Sequence, residues 1–130
     1  MVIDTSALIA ILLSEPPAER LVTALESDPV HLVSAASVLE TSLVMLGRYG
    51  ENGDPQLDRL LRGIDAEVVP VGEEQLLIAR DAALRFGRGR HKAALNFGDC
   101  FSYALSAARG EPLLFVSTDF AKTDVAVCTW

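Results

Sequence analysis

Four of the 18 acidic residues stand where a charge is expensive to bury. Asp4 interrupts MVIDTSALIAILL, Glu40 lies inside SAASVLETSLVML, Asp99 lies inside LNFGDCFSYAL, and Asp119 directly follows LLFVST. Other acids, such as Glu73, Glu74 and Asp81, fall on polar faces and read as solvated. No basic residue is close enough in sequence to Asp4, Glu40 or Asp99 to be an obvious ion-pair partner. Brought together unpaired, four carboxylates repel, and the pKa of some must rise. A hard divalent cation resolves that conflict, because oxygens from two or more carboxylates, completed by water, are what Mg²⁺ or Mn²⁺ accept. Each acid alone has a duller role available. Asp4 or Thr5 can cap a helix beginning at Ser6, Asp99 can cap another, Asp119 can sit in a turn, and Glu40 can meet a distant arginine. Four such coincidences explain the pattern less well than one shared site.

The elements that must position these acids are legible as short apolar runs alternating with helical patterns. VID at the start, VHLV from Val30, EVVPV from Glu67, PLLFV from Pro112 and VAVC from Val125 are predicted strands. Each is too short and too continuously apolar for a half-exposed antiparallel strand. Helices are predicted from Ser6 to Leu13, after Pro16 and Pro17, from Ala35 to Tyr49 behind a Ser34 cap, and from Asp54 or Pro55 through Ile64. The strongest amphipathic stretch follows Gly72, with Leu76, Leu77, Ala79, Ala83, Leu84 and Phe86 apolar, and a last helix runs from about Gly98 to Arg109. Alternating strands and helices imply an α/β fold, a mostly parallel central sheet covered on both faces. Asp4 then falls at the carboxyl end of the first strand, where ligand sites of open α/β sheets gather.

Bulk properties narrow the class. A chain of 130 residues that is 50% hydrophobic fits one globular domain over 1–130, with no linker or repeat. The apolar run Ala7 to Leu13 is too short to span a bilayer, so the expected setting is the cytoplasm and no membrane partner. Cys100 and Cys128 lack metal-ligand spacing and are expected to be reduced thiols. A net charge of −7 argues against non-specific nucleic-acid binding, which needs basic surface, so any such contact must be local.

The segments DTSAL, SVLET, GDCFSYAL and LLFVSTDF together resemble the PIN-domain family, specifically the VapC-type toxins of toxin–antitoxin pairs, over essentially the whole chain. The resemblance implies a three-layer α/β/α sandwich and a metal-dependent endoribonuclease that leaves a 5′-phosphate and a 3′-hydroxyl. It implies that Asp4, Glu40 and Asp99 bind Mg²⁺ or Mn²⁺, that Asp119 completes the site, or Asp124 if the loop is shifted, and that Thr5 or Ser6 helps hold the metal or its water. Phosphodiester hydrolysis needs an activated water and relief of charge on the phosphate, which a divalent ion supplies. Two ions about 3.5 to 4 Å apart could clamp the attacking and leaving oxygens. Neither histidine is needed, and His31, in or beside a strand without an acid-base partner, reads as structural.

An acidic nuclease must still hold a polyanion. The stretch FGRGRHKAALN gathers Arg88, Arg90 and Lys92 with Arg85 and His91, placing four of the 11 lysines and arginines within eight positions. RNA is expected to enter there, with Gly87 and Gly89 letting the loop bend toward phosphate. The alternative is a solvated helix end whose cations complement the carbonyl dipole. The helix carrying Glu40 has more apolar surface, from Val38, Leu39, Leu43, Val44, Met45 and Leu46, than one face against a sheet can use, which points to a homodimer. The resemblance adds a cognate antitoxin whose tail lies across the acidic site, and because a carboxylate cluster attracts a cation, that partner is expected to direct an arginine or lysine at Asp4, Glu40 and Asp99. Two other classes remain open. A haloacid-dehalogenase-like phosphotransferase wants a second aspartate where this chain has Ser6, and a non-catalytic interaction module, a degenerate nuclease, would keep the fold without the chemistry.

Overall fold

The computed structural model describes residues 1–130. Four strands, β1 (Val2–Ile3), β2 (Leu32–Ser34), β3 (Glu67–Val69) and β4 (Leu113–Leu114), form one sheet in the order β3-β2-β1-β4. All neighbours are parallel, with Val2 opposite Leu32 on one side and Leu113 on the other. The connections therefore step outward from β1 through β2 to β3, then cross back past β1 to β4. That reversal puts the carboxyl end of β1, and with it Asp4, at the topological switch point, where open α/β sheets gather their ligand sites.

Strand pleating sends alternate residues to opposite faces and so makes two cores. Ile3, Val33 and Leu114 face a core with Ala7, Leu8, Leu21, Leu25, Leu57 and Leu61, supplied by α1 (Thr5–Leu12), α2 (Ala18–Glu26) and α4 (Asp54–Gly63). Val2, Leu32 and Leu113 face the other, with Ala79, Ala82, Phe86, Tyr103 and Ala104 from α5 (Glu73–Phe86) and α6 (Phe97–Arg109). The result is the expected three-layer α/β/α sandwich. Cys100 belongs to the second core while Cys128 packs against the first, so the sheet separates the two thiols and both are free. No helix is long and apolar enough to cross a membrane.

Helix α3 (Ala35–Tyr49) matches its predicted bounds, because Ser34 accepts from the Ala36 N–H at 3.3 Å at its start. It packs against α1, α4 and α6. Two expectations fail. The run at Val125 is not a full strand: Leu113 donates to Ala126 and accepts from Cys128, a single parallel bridge at Val127 beside β4. In α5 the leucines do not face inward. Ala79, Ala82 and Phe86 are buried and Leu76, Leu77 and Leu84 exposed, since small side chains let α5 lie close to α6 while larger ones are turned out.

Candidate active site at the carboxyl edge of the sheet

Asp4 ends β1 and begins α1. Its backbone N–H donates to Leu114 O at 3.0 Å, and its side chain, only 3% exposed, caps the helix by accepting from the Ser6 N–H at 2.9 Å. The Ser6 hydroxyl donates to the same Oδ2 at 2.6 Å and accepts from Val116 N–H at 3.1 Å, which ties the acid to the end of β4. Ser102 on α6 donates to Asp4 Oδ1 at 2.7 Å and is itself within 3.1 Å of Ser37 on α3. Two hydroxyls thus aim one carboxylate, and a third steadies one of them.

Glu40 and Asp99 come from α3 and α6. Thr5 Oγ1 donates to Glu40 Oε2 at 2.6 Å. The Glu40 carboxylate lies so close to Gly98 that a Cβ there would occupy its place. Asp99 forms a capping box with Asn96: its Oδ2 accepts from the Asn96 N–H at 2.7 Å while Asn96 Oδ1 accepts from the Asp99 N–H at 3.0 Å. Glu40 Oε1 and Asp99 Oδ1 have no protein donor.

The four acids are electrostatic neighbours. Burial first, and then the charges of Asp4, Asp119 and Glu40, push the Asp99 carboxyl up to about 6, against the opposing pull of the Asn96 N–H. Asp119 is paired only with Lys122, at 3.7 Å. Asp124, the other sequence candidate, is engaged elsewhere: Tyr103 donates to its Oδ1 at 2.6 Å and Arg85 binds its Oδ2, and these bonds hold its carboxyl below the usual range. None of Asp4, Glu40 and Asp99 has an arginine or lysine within ion-pair reach.

The donor set suits a hard cation. No three of the His, Cys, Asp and Glu side chains converge into a ready-made metal site. The acids do supply carboxylate oxygens from three elements, two without protein donors, around a glycine that leaves room for one of them.

The basic stretch divides in two. Arg85 pairs with Asp81 and Asp124 and lies over the Phe86 ring, 4.5 Å from its centroid. His91 packs its ring edge-on to Phe86 and accepts from the Ala93 N–H at 3.1 Å. Both are spent on the fold. Arg88, Arg90 and Lys92 are exposed and form no ion pair. His31 is structural, its two ring nitrogens 2.6 Å from Ile64 O and 2.9 Å from Leu25 O. Ser102 and Ser37 escaped the sequence reading, although Ser102 lies three residues after Asp99 and Ser37 three before Glu40, each one helical turn from an acid.

The raised Asp99 pKa sets a pH dependence. The folded state holds a proton that the unfolded chain releases near 3.8, so this stability is full below about 4 and is lost as the pH rises through 6. Asp28 and Asp124, both lowered, act in the opposite sense, so the comparison must be with a variant. In EDTA, Asp99→Asn should gain on the parent in melting temperature as pH rises from 4 to 7. A constant gap over that range would show that neither burial nor the neighbouring charges raise Asp99.

A parallel α/β/α sandwich with acids gathered about the carboxyl end of β1 is the architecture of a PIN domain. The PIN domain family model matches residues 1–126, and the chain belongs to that family. It is similar to curated VapC ribonucleases: 51% identical over 126 residues to Ribonuclease VapC30 of Mycobacterium tuberculosis, covering 97% of this chain and 96% of that one. To Ribonuclease VapC of Mycolicibacterium smegmatis it is 52% identical over 126 residues, covering 97% and 98%. Among solved structures, Mycobacterium tuberculosis VapC20, described as a toxin that cleaves the sarcin–ricin loop, superposes with a TM-score of 0.78 at 18% identity over 96% of this chain and 95% of that one. FitAcB from Neisseria gonorrhoeae superposes at 0.67 with 22% identity over 98% and 96%.

Proposed function

We infer that this chain is an endoribonuclease toxin that hydrolyses RNA phosphodiester bonds as one domain over residues 1–130. The observation that carries the reading is the pair of buried acids, Asp4 and Asp99, set beside Glu40 with no cationic partner in the chain. Near-full-length identity to VapC ribonucleases supports the same conclusion. All four acids are present, which leaves the degenerate-nuclease alternative without a missing residue to rest on.

Asp4, Glu40, Asp99 and Asp119 would hold Mg²⁺ or Mn²⁺, which supplies Lewis-acid activation of water and offsets charge on the phosphate. Ser6 and Ser102 fix the direction of the Asp4 carboxylate and Thr5 that of Glu40, so these acids do not have to reorganise as charge develops. Arg88, Arg90 and Lys92 receive the RNA backbone, with Arg85 and His91 shaping their loop from behind. Incubation with total RNA, with and without EDTA, and mapping of new 5′ ends tests the activity; no metal-dependent cleavage overturns it. Replacing Arg88, Arg90 and Lys92 by alanine should weaken RNA binding and flatten its salt dependence by up to about three counterions, leaving metal binding intact. An unchanged salt slope would make the loop a solubilising surface.

Two partners complete the reading. A second copy fits the outward face of α3, where Leu39 is 61% and Leu43 59% exposed, with Leu46 beside them. Sedimentation at micromolar concentration should give a dimer, and a monomer removes the proposal. A cognate antitoxin would silence the site by directing an arginine, whose planar fork matches a carboxylate, at Asp4, Glu40 and Asp99.

A further inference from the structure

We propose that the cleft between α5 and α6, beside the acidic cluster, is a nucleobase-stacking subsite in which Phe97 and Arg88 hold a base of single-stranded RNA next to the phosphate that is cut. The inference rests on the RNA-cleaving reading and adds the part of the substrate that reading leaves unplaced. The cleft has a volume of about 460 Å³; Leu76, Leu95 and Phe101 line it on the apolar side, and Arg80 and Arg88 on the polar side. Phe97 stands at its mouth. It is the most exposed of the large hydrophobic residues, at 82%, in a chain that buries Phe86, Phe115 and Phe120.

Its ring is not loose. It meets Phe101 edge-on, with centroids 4.9 Å apart and planes at 78°, one helical turn along α6, an arrangement that fixes the ring while leaving a face open. Its neighbours in sequence place it. Gly98 is the residue against which the Glu40 carboxylate rests, and Asp99 follows, so a base stacked on Phe97 belongs to a nucleotide adjoining the acids.

Charge selects the occupant. Arg80 and Arg88 are exposed and have no carboxylate within 4.0 Å, whereas Arg85, which lies between them in sequence, is paired with Asp81 and Asp124. Unpaired guanidiniums beside an open aromatic face, on a chain of net charge −7, suit a ligand that is planar, apolar-faced and anionic, which a nucleotide is. The outward face of α3 is dominated instead by the aliphatic side chains of Leu39, Leu43 and Leu46, and a second copy fits there.

The test uses a short single-stranded oligoribonucleotide carrying 2-aminopurine, whose fluorescence falls when it stacks, with the full chain bearing Asp4→Asn to stop cleavage. Binding should quench the probe. Adding Phe97→Leu should abolish the quenching and weaken binding about tenfold, within the range of one base–aromatic stack, while Phe97→Tyr keeps both. In the cleaving protein, Phe97→Leu should raise KM by a similar factor. If Phe97→Leu quenches, binds and cleaves as the parent does, the subsite is overturned while the nuclease reading stands. If Phe97→Leu leaves RNA binding intact and changes only the sedimentation coefficient, the cleft is a protein interface and the subsite is again overturned. If the parent neither binds nor cleaves RNA in Mn²⁺, the failure lies in the nuclease reading itself.

Discussion

Asp4→Asn should remove both the stabilisation that Mn²⁺ gives the parent and its RNA cleavage. An ion that binds only the folded state adds about 2.7 kcal/mol at a hundredfold excess over Kd. For a domain of this size that is a rise of roughly 10 °C in melting temperature. Asparagine caps a helix about as well as aspartate, so α1 should survive with its N-terminus satisfied. What changes is charge: the carboxylate that accepts from Ser6 and Ser102 becomes a neutral amide with one acceptor oxygen. Cleavage should fall at least about 100-fold, the upper end of what loss of a group supporting a metal costs. EDTA-treated parent whose melting temperature ignores Mn²⁺ would count against the whole assignment of the acids, and Asp4→Asn that still cleaves would count against Asp4.

Gly98→Ala should separate folding from chemistry. A Cβ at this position would overlap the Glu40 carboxylate, which is the far end of a flexible side chain and can swing aside where backbone could not. The fold should tolerate the change and even gain up to about 1 kcal/mol from the better helix former. The displaced carboxylate then loses its hydrogen bond from Thr5, and both Mn²⁺ affinity and cleavage should drop about 10- to 100-fold. Glu40→Gln serves as the reference for loss of the acid itself. Full activity in Gly98→Ala would mean that Glu40 works from a position other than the one against Gly98.

Where local chemistry decides structure, the sequence was a sufficient guide. Ser34 and the apolar run behind it marked α3 to the residue, and the acids were found because each sat in apolar surroundings where a solitary charge has no cheap explanation. Where tertiary competition decides, it was not. Leu76, Leu77 and Leu84 follow a helical period, yet Ala79 and Ala82 won the inward face because close approach to α6 favours small side chains. Arg85 belongs to the basic cluster in sequence, but its partner Asp124 lies 39 residues away. The same pairing separates Asp124 from Asp119, a choice that spacing alone left open. Ser102 was invisible for another reason: a serine on a buried helix face signals nothing until the carboxylate it serves, 98 residues earlier, is brought beside it.

The dependence of the first acid on the last strand has a consequence for when activity can begin. Asp4 is made long before β4, yet its N–H donates to Leu114 O and the Ser6 hydroxyl that aims it accepts from the Val116 N–H. Asp99 and Ser102 also arrive late, on α6. During synthesis, domains fold as units from the N-terminal end, and parallel pairing waits for its distant partner. A nascent chain halted anywhere before β4 therefore carries Asp4 without the strand that holds it, and the acidic site can be assembled only once β4 has been made.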